Sequence, residues 1–201
     1  MTLEPHRVTT VNGRKVLFQI PFTKNCMVIA ILNAVLQDRH IPNYNLEQLE
    51  NKYNKKYNIN ERGLDITVAG AIAYDLGYYS SIDKSATFSS AYKSYLSGHK
   101  IIRIYGYMPG DGFWDDETEE TKHITREYHK MFSIEKSFTE TTMPSCHAVF
   151  VHEINPDGLC LFTNYVNGVN VIKRWDSVGL LRKGPQYAAS GLELIMTLQR
   201  K

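Results

Sequence analysis

The feature of this sequence that most constrains its fold is a long apolar segment that starts with a cysteine, Cys26 to Leu36. At helical spacing almost every face of this segment is apolar, and a helix of that kind is buried on all sides. Asn25 is a suitable N-cap, so the predicted helix runs from Asn25 to about Gln37 with Cys26 in its first turn. The sequence therefore predicts a buried helix that carries a thiol at its amino terminus.

Turn residues and apolar periodicity predict the remaining elements. Asn12-Gly13 is a strong hairpin signal, because both residues tolerate positive φ, and it separates predicted strands at Val8–Val11 and Arg14–Ile20. Further helices are predicted at residues 46–57, 65–76, 87–96 and 119–132, and further strands at 100–107, 147–154, 159–166, 169–175 and 192–198. Helices thus come first and an antiparallel sheet afterwards, which indicates an α+β fold.

Length and composition are those of one globular domain. The chain has 201 residues, 43% of them hydrophobic and 22% charged, and no repeat or low-complexity linker divides it. We therefore predict a single domain over residues 1–201, with residues 109–144 as a candidate insertion. The net charge of +2 gives no bulk electrostatic argument for binding nucleic acid or a membrane surface, so no nucleic-acid partner is predicted.

The number of cysteines and the lengths of the apolar runs indicate the cellular compartment of the protein. Three cysteines are an odd number in three different contexts, which favours reduced thiols over a disulfide scaffold. Residues 1–7 lack the apolar stretch of a signal peptide, and no run approaches the roughly 18 apolar residues of a membrane span. We predict a cytoplasmic protein, or one delivered without a cleavable signal peptide, and no membrane span.

Cys26 is the candidate nucleophile. A thiol at a helix amino terminus lies among unpaired backbone N–H groups at the positive end of the helix dipole. Both effects favour the thiolate, which is the reactive form of cysteine. The alternative is a buried core cysteine, the commoner state for an arbitrary cysteine. The position of Cys26 at the start of a buried helix, after a loop that contains proline, favours the nucleophile.

His147 is the candidate base, because it begins an apolar strand that would hold it rigidly at the mouth of a cleft. The alternative is a strand-end histidine with no role. His152 follows on the same strand, and we interpret it as a hydrogen-bonded sheet histidine on the opposite face. His123 and His129 lie beside an acidic run, but six-residue spacing does not align two ligands on one helix face. No metal or other cofactor is predicted.

A catalytic histidine needs an orienting partner, and the reaction needs oxyanion donors. Pairing of the predicted strands 147–154 and 159–166 brings Asn164 opposite Val149, within reach of His147. A plain edge asparagine is the alternative, and Asp176 is the reserve candidate for the orienting role. The backbone N–H of Cys26 and the side-chain amide of Gln19 are the candidate oxyanion donors.

The order Gln19, Cys26, His147, Asn164 resembles the papain-like cysteine peptidases, nearest to the bacteriocin-processing (double-glycine) peptidase group. The resemblance covers residues 14–36 and 145–181. It implies a papain-like fold, in which the buried N-terminal helix packs against a C-terminal antiparallel sheet. It also implies a nucleophilic cysteine, a basic histidine, an orienting asparagine and a glutamine oxyanion donor. The chain departs from the group at Met27, where glycine is usual, and at Asn164, where aspartate is commoner. It also departs in the seven-residue spacing from glutamine to cysteine, where six is usual.

The predicted function is a cysteine-dependent hydrolase that cleaves peptide, isopeptide or amide bonds of a protein or peptide substrate through a thioester. The same residues would serve a protein glutamine deamidase or an acyltransferase effector or toxin. A non-catalytic papain-like binding module is the alternative from another class. Its candidate surface is the aromatic and acidic stretch 106–120.

Overall fold

The structure is a computed structural model. It describes residues 8–11, 13–19, 23–39, 44–59, 64–84, 87–106, 146–156, 159–163, 170–174 and 193–201. The helices within these ranges are α1 (Cys26–Asp38), α2 (Tyr44–Tyr57), α3 (Ile66–Asp75) and α4 (Phe88–Leu96). The strands are β1 (Val8–Val11), β2 (Arg14–Leu17), β3 (Tyr78–Asp83), β4 (Lys100–Gly106), β5 (Cys146–Ile154), β6 (Leu159–Thr163), β7 (Asn170–Arg174) and β8 (Glu193–Arg200).

The strands form a two-stranded hairpin and a separate antiparallel sheet. The sheet contains six strands in the order β3-β8-β4-β5-β6-β7, and β1 pairs with β2 in the hairpin. All of the neighbouring pairs are antiparallel. Together with the four helices, this arrangement confirms the predicted α+β fold. The helix predicted at 119–132 and the candidate insertion at 109–144 lie outside the described residues.

The hairpin forms where its turn signal predicts it, but β2 is shorter than expected. Gly13 has a φ of 73°, which is the positive value that the turn requires. The predicted second strand reached Ile20, whereas β2 ends at Leu17, paired with Val8 at the start of β1. The backbone N–H and C=O of Leu17 are bound by the Asn33 side chain of α1. This helix–strand contact therefore lies at the end of the strand.

Helix boundaries follow the capping residues in the sequence. The Asp65 side chain accepts a hydrogen bond from the Thr67 N–H and starts α3, and Thr87 forms a capping box with Ser90 at the start of α4. Beyond these two helices, Gly77 and Gly98 have φ values of 89° and 83°. These boundaries agree with the sequence to within one residue.

The buried helix α1 organises the core. All its residues from Met27 to Leu36 are buried, as its uniform apolarity predicted. It packs against β2, β5, α2 and α3. The sheet face that shares this core includes Ala148, Phe150 and residues of β4 and β8. Val149 and Val151 are also buried but lie outside that cluster, so β5 is covered on both faces.

The strands β3 and β8, at one end of the sheet, differ from what the sequence predicted. The sequence predicted the last strand as a closing element, yet β8 lies inside the sheet between β3 and β4. No strand was predicted at Tyr78–Asp83, where β3 forms. Most of the β3 side chains are exposed or only partly buried, because β3 is an edge strand and only Tyr78 is fully buried.

The Asp38 carboxylate joins three elements at the carboxyl end of α1. It accepts a hydrogen bond from the Tyr78 hydroxyl at 2.6 Å and pairs with the Lys100 ammonium at 2.9 Å. Burial raises the pKa of the Tyr78 hydroxyl, and the hydrogen bond to Asp38 raises it further. Loss of the carboxylate would remove the acceptor of a buried donor.

We expect Asp38→Ala to lower the free energy of unfolding by about 2 to 3 kcal/mol, because a buried hydroxyl loses a charged acceptor. Asp75→Ala is the matched control, since Asp75 also ends a helix but lies 3.9 Å from Lys56 with both side chains about half exposed. This control should cost less than about 0.5 kcal/mol. Urea unfolding of both variants measures the difference, and equal effects would contradict the role assigned to Asp38.

Candidate functional site

Cys26 occupies the predicted position as the first residue of α1, with Asn25 at the N-cap. Its side chain is partly exposed, whereas the next ten residues of the helix are buried. The Asn25 carbonyl accepts the first helical hydrogen bond, from the Ile29 N–H at 3.0 Å. The Asn25 side chain makes no capping hydrogen bond, and the first turn contains no acidic residue. The positive end of the α1 dipole is therefore not neutralised by its own N-cap side chain.

The Asn25 side chain belongs instead to a polar relay, which we define as Gln19, Thr23, Asn25 and Glu50. The Thr23 hydroxyl donates to Asn25 Oδ1 at 2.6 Å. Asn25 Nδ2 donates to Glu50 Oε1 on α2. Gln19, Asn25 and Glu50 are all nearly inaccessible to solvent. The relay therefore connects the loop before the thiol to the second helix.

Gln19 forms the outer end of the polar relay. Its side-chain Nε2 donates to the Thr23 carbonyl at 2.8 Å and to the Thr23 hydroxyl at 3.2 Å. Both acceptors belong to the loop that leads to Cys26, so the amide braces that loop. The predicted role of Gln19 as an oxyanion donor stays a prediction.

His147 is the second residue of β5, and its backbone pairs in register with Tyr105 of β4. On the other side of β5, Phe150 pairs with Thr163 and Val151 with Phe162. This is the register that the sequence predicted for these two strands. Asn164 and Asp176 themselves lie outside the described residues. The structure therefore describes the strand that contains His147. It describes the next strand as far as Thr163, one residue before Asn164.

His152 lies near the opposite end of β5 and is completely buried. Its Nδ1 is 3.2 Å from the Gln37 side-chain amide of α1, and its ring contacts the edge of Phe150 at 4.8 Å between centroids. Burial lowers the pKa of His152 to about 3, and the nearby Arg14 contributes in the same direction. The imidazole is therefore neutral and inaccessible at ordinary pH, which agrees with its interpretation as a hydrogen-bonded sheet histidine.

Sequence reasoning missed Glu50 and Thr23. Glu50 falls on the apolar stripe of α2, four residues after Leu46 and three before Tyr53, and both of those neighbours are buried. A carboxylate at such a position needs a buried partner. That signal was present in the sequence, although the sequence alone does not name Asn25 as the partner.

Metal-binding clusters and membrane-spanning helices are both absent from the described ranges. No three side chains of histidine, cysteine, aspartate or glutamate come together there in a way that could hold a metal ion. None of the helices in this part of the chain has the length and apolarity to cross a membrane.

Comparisons with known proteins found no match to this chain among protein families, curated proteins or solved structures.

Proposed function

We propose that this chain is a cysteine-dependent hydrolase of papain-like architecture, with Cys26 as nucleophile and His147 as base. The observation that carries the proposal is a partly exposed thiol at the start of a buried helix whose N-cap side chain does not cap it. First-turn N–H groups that the N-cap side chain leaves uncapped stabilise a nearby thiolate. The Cys26 thiolate would attack a carbonyl carbon and displace an amine, which forms a thioester. Water then hydrolyses the thioester.

The packing of α1 along β5 supports the pairing with His147. Gln37 and His152 are in contact near the carboxyl ends of the two elements. Cys26 lies about 16 Å of helix before Gln37, and His147 lies about 17 Å of strand before His152. Because β5 ends two residues after His152, a helix that packs along it from this contact extends toward the His147 end. The two candidate residues then belong to the same end of the helix–strand pair.

The test measures the reactivity of Cys26 with iodoacetamide as a function of pH, read by peptide mass spectrometry. We expect an apparent thiol pKa at least one unit below the free value of about 8.5, because helix N–H groups and an imidazolium stabilise the thiolate. His147→Ala should raise this pKa. His99→Ala, which changes a histidine in the loop before β4, should leave it unchanged.

Incubation with a peptide library then distinguishes the reactions that share this chemistry. New amino termini report peptide hydrolysis, whereas conversion of glutamine to glutamate reports deamidation, and both should disappear in Cys26→Ala. A Cys26 pKa near 8.5 that His147→Ala does not change would overturn the proposal and favour a non-catalytic binding module.

A further inference from the structure

We infer that Glu50 is a positioning residue for Cys26, and that it acts by holding the Asn25 side chain away from the amino terminus of α1. The inference rests on the proposed function, since it concerns how the nucleophile is prepared. Glu50 is 2% exposed and Asn25 is completely buried, so their hydrogen bond is shielded from solvent. Glu50 belongs to α2, which packs against α1.

The carboxylate fixes the direction of every hydrogen bond in the polar relay. An ionised carboxylate only accepts, so the Asn25 amide must present its NH₂ group to Glu50 and its oxygen to Thr23. The Thr23 hydroxyl hydrogen is used on Asn25 Oδ1, so Thr23 accepts rather than donates toward Gln19. One buried charge on α2 therefore sets which groups donate and which accept in these hydrogen bonds.

The same contact keeps Asn25 from capping its own helix. Asparagine is among the best N-cap residues, because its side-chain oxygen accepts from the N–H groups of the first turn. At Asn25 that oxygen accepts from Thr23 instead, and no capping hydrogen bond forms. An Asn25 side chain released from Glu50 would be free to cap α1. It would then compete with the Cys26 thiolate for the same N–H groups.

This mechanism and a simple charge effect predict opposite signs. A negative charge near a thiol raises the pKa of the thiol, so loss of the Glu50 charge alone would lower it. Release of Asn25 to cap the helix would raise the pKa instead. The direction of the change therefore identifies which of the two effects dominates.

The experiment measures the pH profile of Cys26 labelling in Glu50→Leu, which removes the oxygen that accepts from Asn25. We expect the thiol pKa to rise by about one unit, so that labelling at pH 6.5 slows by up to about tenfold. Glu47→Leu is the matched control, because Glu47 lies on the same helix but is exposed. This control should leave the profile unchanged.

Thr23→Val gives a second test that keeps the buried carboxylate and its partner. Valine has the size of threonine but lacks the hydroxyl that donates to Asn25 Oδ1. We expect a smaller rise in the thiol pKa, since the Asn25 oxygen loses its competing donor while its NH₂ group remains bound. In an Asn25→Ala background, Glu50→Leu should no longer raise the pKa, because no side chain is left to cap α1.

The outcomes separate this inference from the proposed function. An activated Cys26 in the wild type whose pKa is unchanged or lowered in both Glu50→Leu and Thr23→Val would overturn the positioning role alone. A wild-type thiol with an ordinary pKa would overturn the proposed function and the inference together. Reduced stability of Glu50→Leu with an unchanged pH profile would assign the carboxylate a structural role only, against the inference.

Discussion

Asn33→Leu should lower the free energy of unfolding by roughly 3 to 5 kcal/mol, because it leaves a buried backbone N–H and C=O without their partner. Asn33 is completely buried in the middle of α1. Its side chain accepts from the Leu17 N–H at 2.9 Å and donates to the Leu17 carbonyl at 3.0 Å. Nδ2 also donates to the Ile29 carbonyl at 2.9 Å. Leucine has as many side-chain heavy atoms as asparagine, so the substitution leaves no cavity.

Urea denaturation followed by far-UV circular dichroism measures this effect. Asn51→Leu is the control, since it makes the same change at an exposed position of α2. A surface substitution of this kind should change stability by less than about 0.5 kcal/mol. Amide hydrogen exchange at Leu17 should also accelerate in Asn33→Leu. If Asn33→Leu unfolds at the same urea midpoint as the wild type, the contact between α1 and β2 contributes little to stability.

His152 should make the protein less stable as the pH falls below neutrality. The unfolded chain takes up a proton on this histidine near pH 6.5, whereas burial lowers the pKa in the folded protein to about 3. Between these values the unfolded state binds one proton more than the folded state, so stability falls as the pH is lowered. This group alone should remove about 2 kcal/mol between pH 7 and pH 5.

The free energy of unfolding of the wild type and of His152→Gln is measured at pH 7 and at pH 5. The contribution of His152 is the difference between the two proteins in the stability lost over this interval. The variant should lose about 2 kcal/mol less than the wild type over this interval. Gln37→Leu removes the hydrogen bond to the imidazole but leaves the ring buried, so it should retain the wild-type pH dependence. Identical pH dependence in the wild type and His152→Gln would refute this assignment.

The sequence predicted those parts of the fold that depend on local chemistry. Uniform apolarity and the N-cap residue placed α1 to within one residue, and Asp65 and Thr87 marked the starts of two further helices. The register of β5 with β6 was also predictable, because a short connection between antiparallel strands leaves few alternatives. Strand order was not, since the position of β8 between β3 and β4 depends on contacts between distant parts of the chain.

The candidate site was predicted less completely. The position of Cys26 at the start of α1 was predictable, because the apolar run and its N-cap residue are visible in the sequence, whereas its role as nucleophile stays a prediction. Glu50 was missed, because one carboxylate on an amphipathic helix has no partner until the helices are packed. Asn25 was predicted as an N-cap from its type, yet its side chain binds Glu50 and Thr23 rather than the helix. A buried tertiary partner can thus override a local capping preference.

The interior position of β8 also has a consequence for synthesis. β8 is the neighbour of both β3 and β4, although about a hundred residues separate it from them in the sequence. At roughly 5 to 20 residues per second, translation would deliver β8 about 5 to 20 seconds after β4. During that interval β3 would lack the strand that joins it to the sheet, and the core cluster would lack the side chains that β8 contributes. A nascent chain would therefore expose apolar core surface until its last described strand has been made.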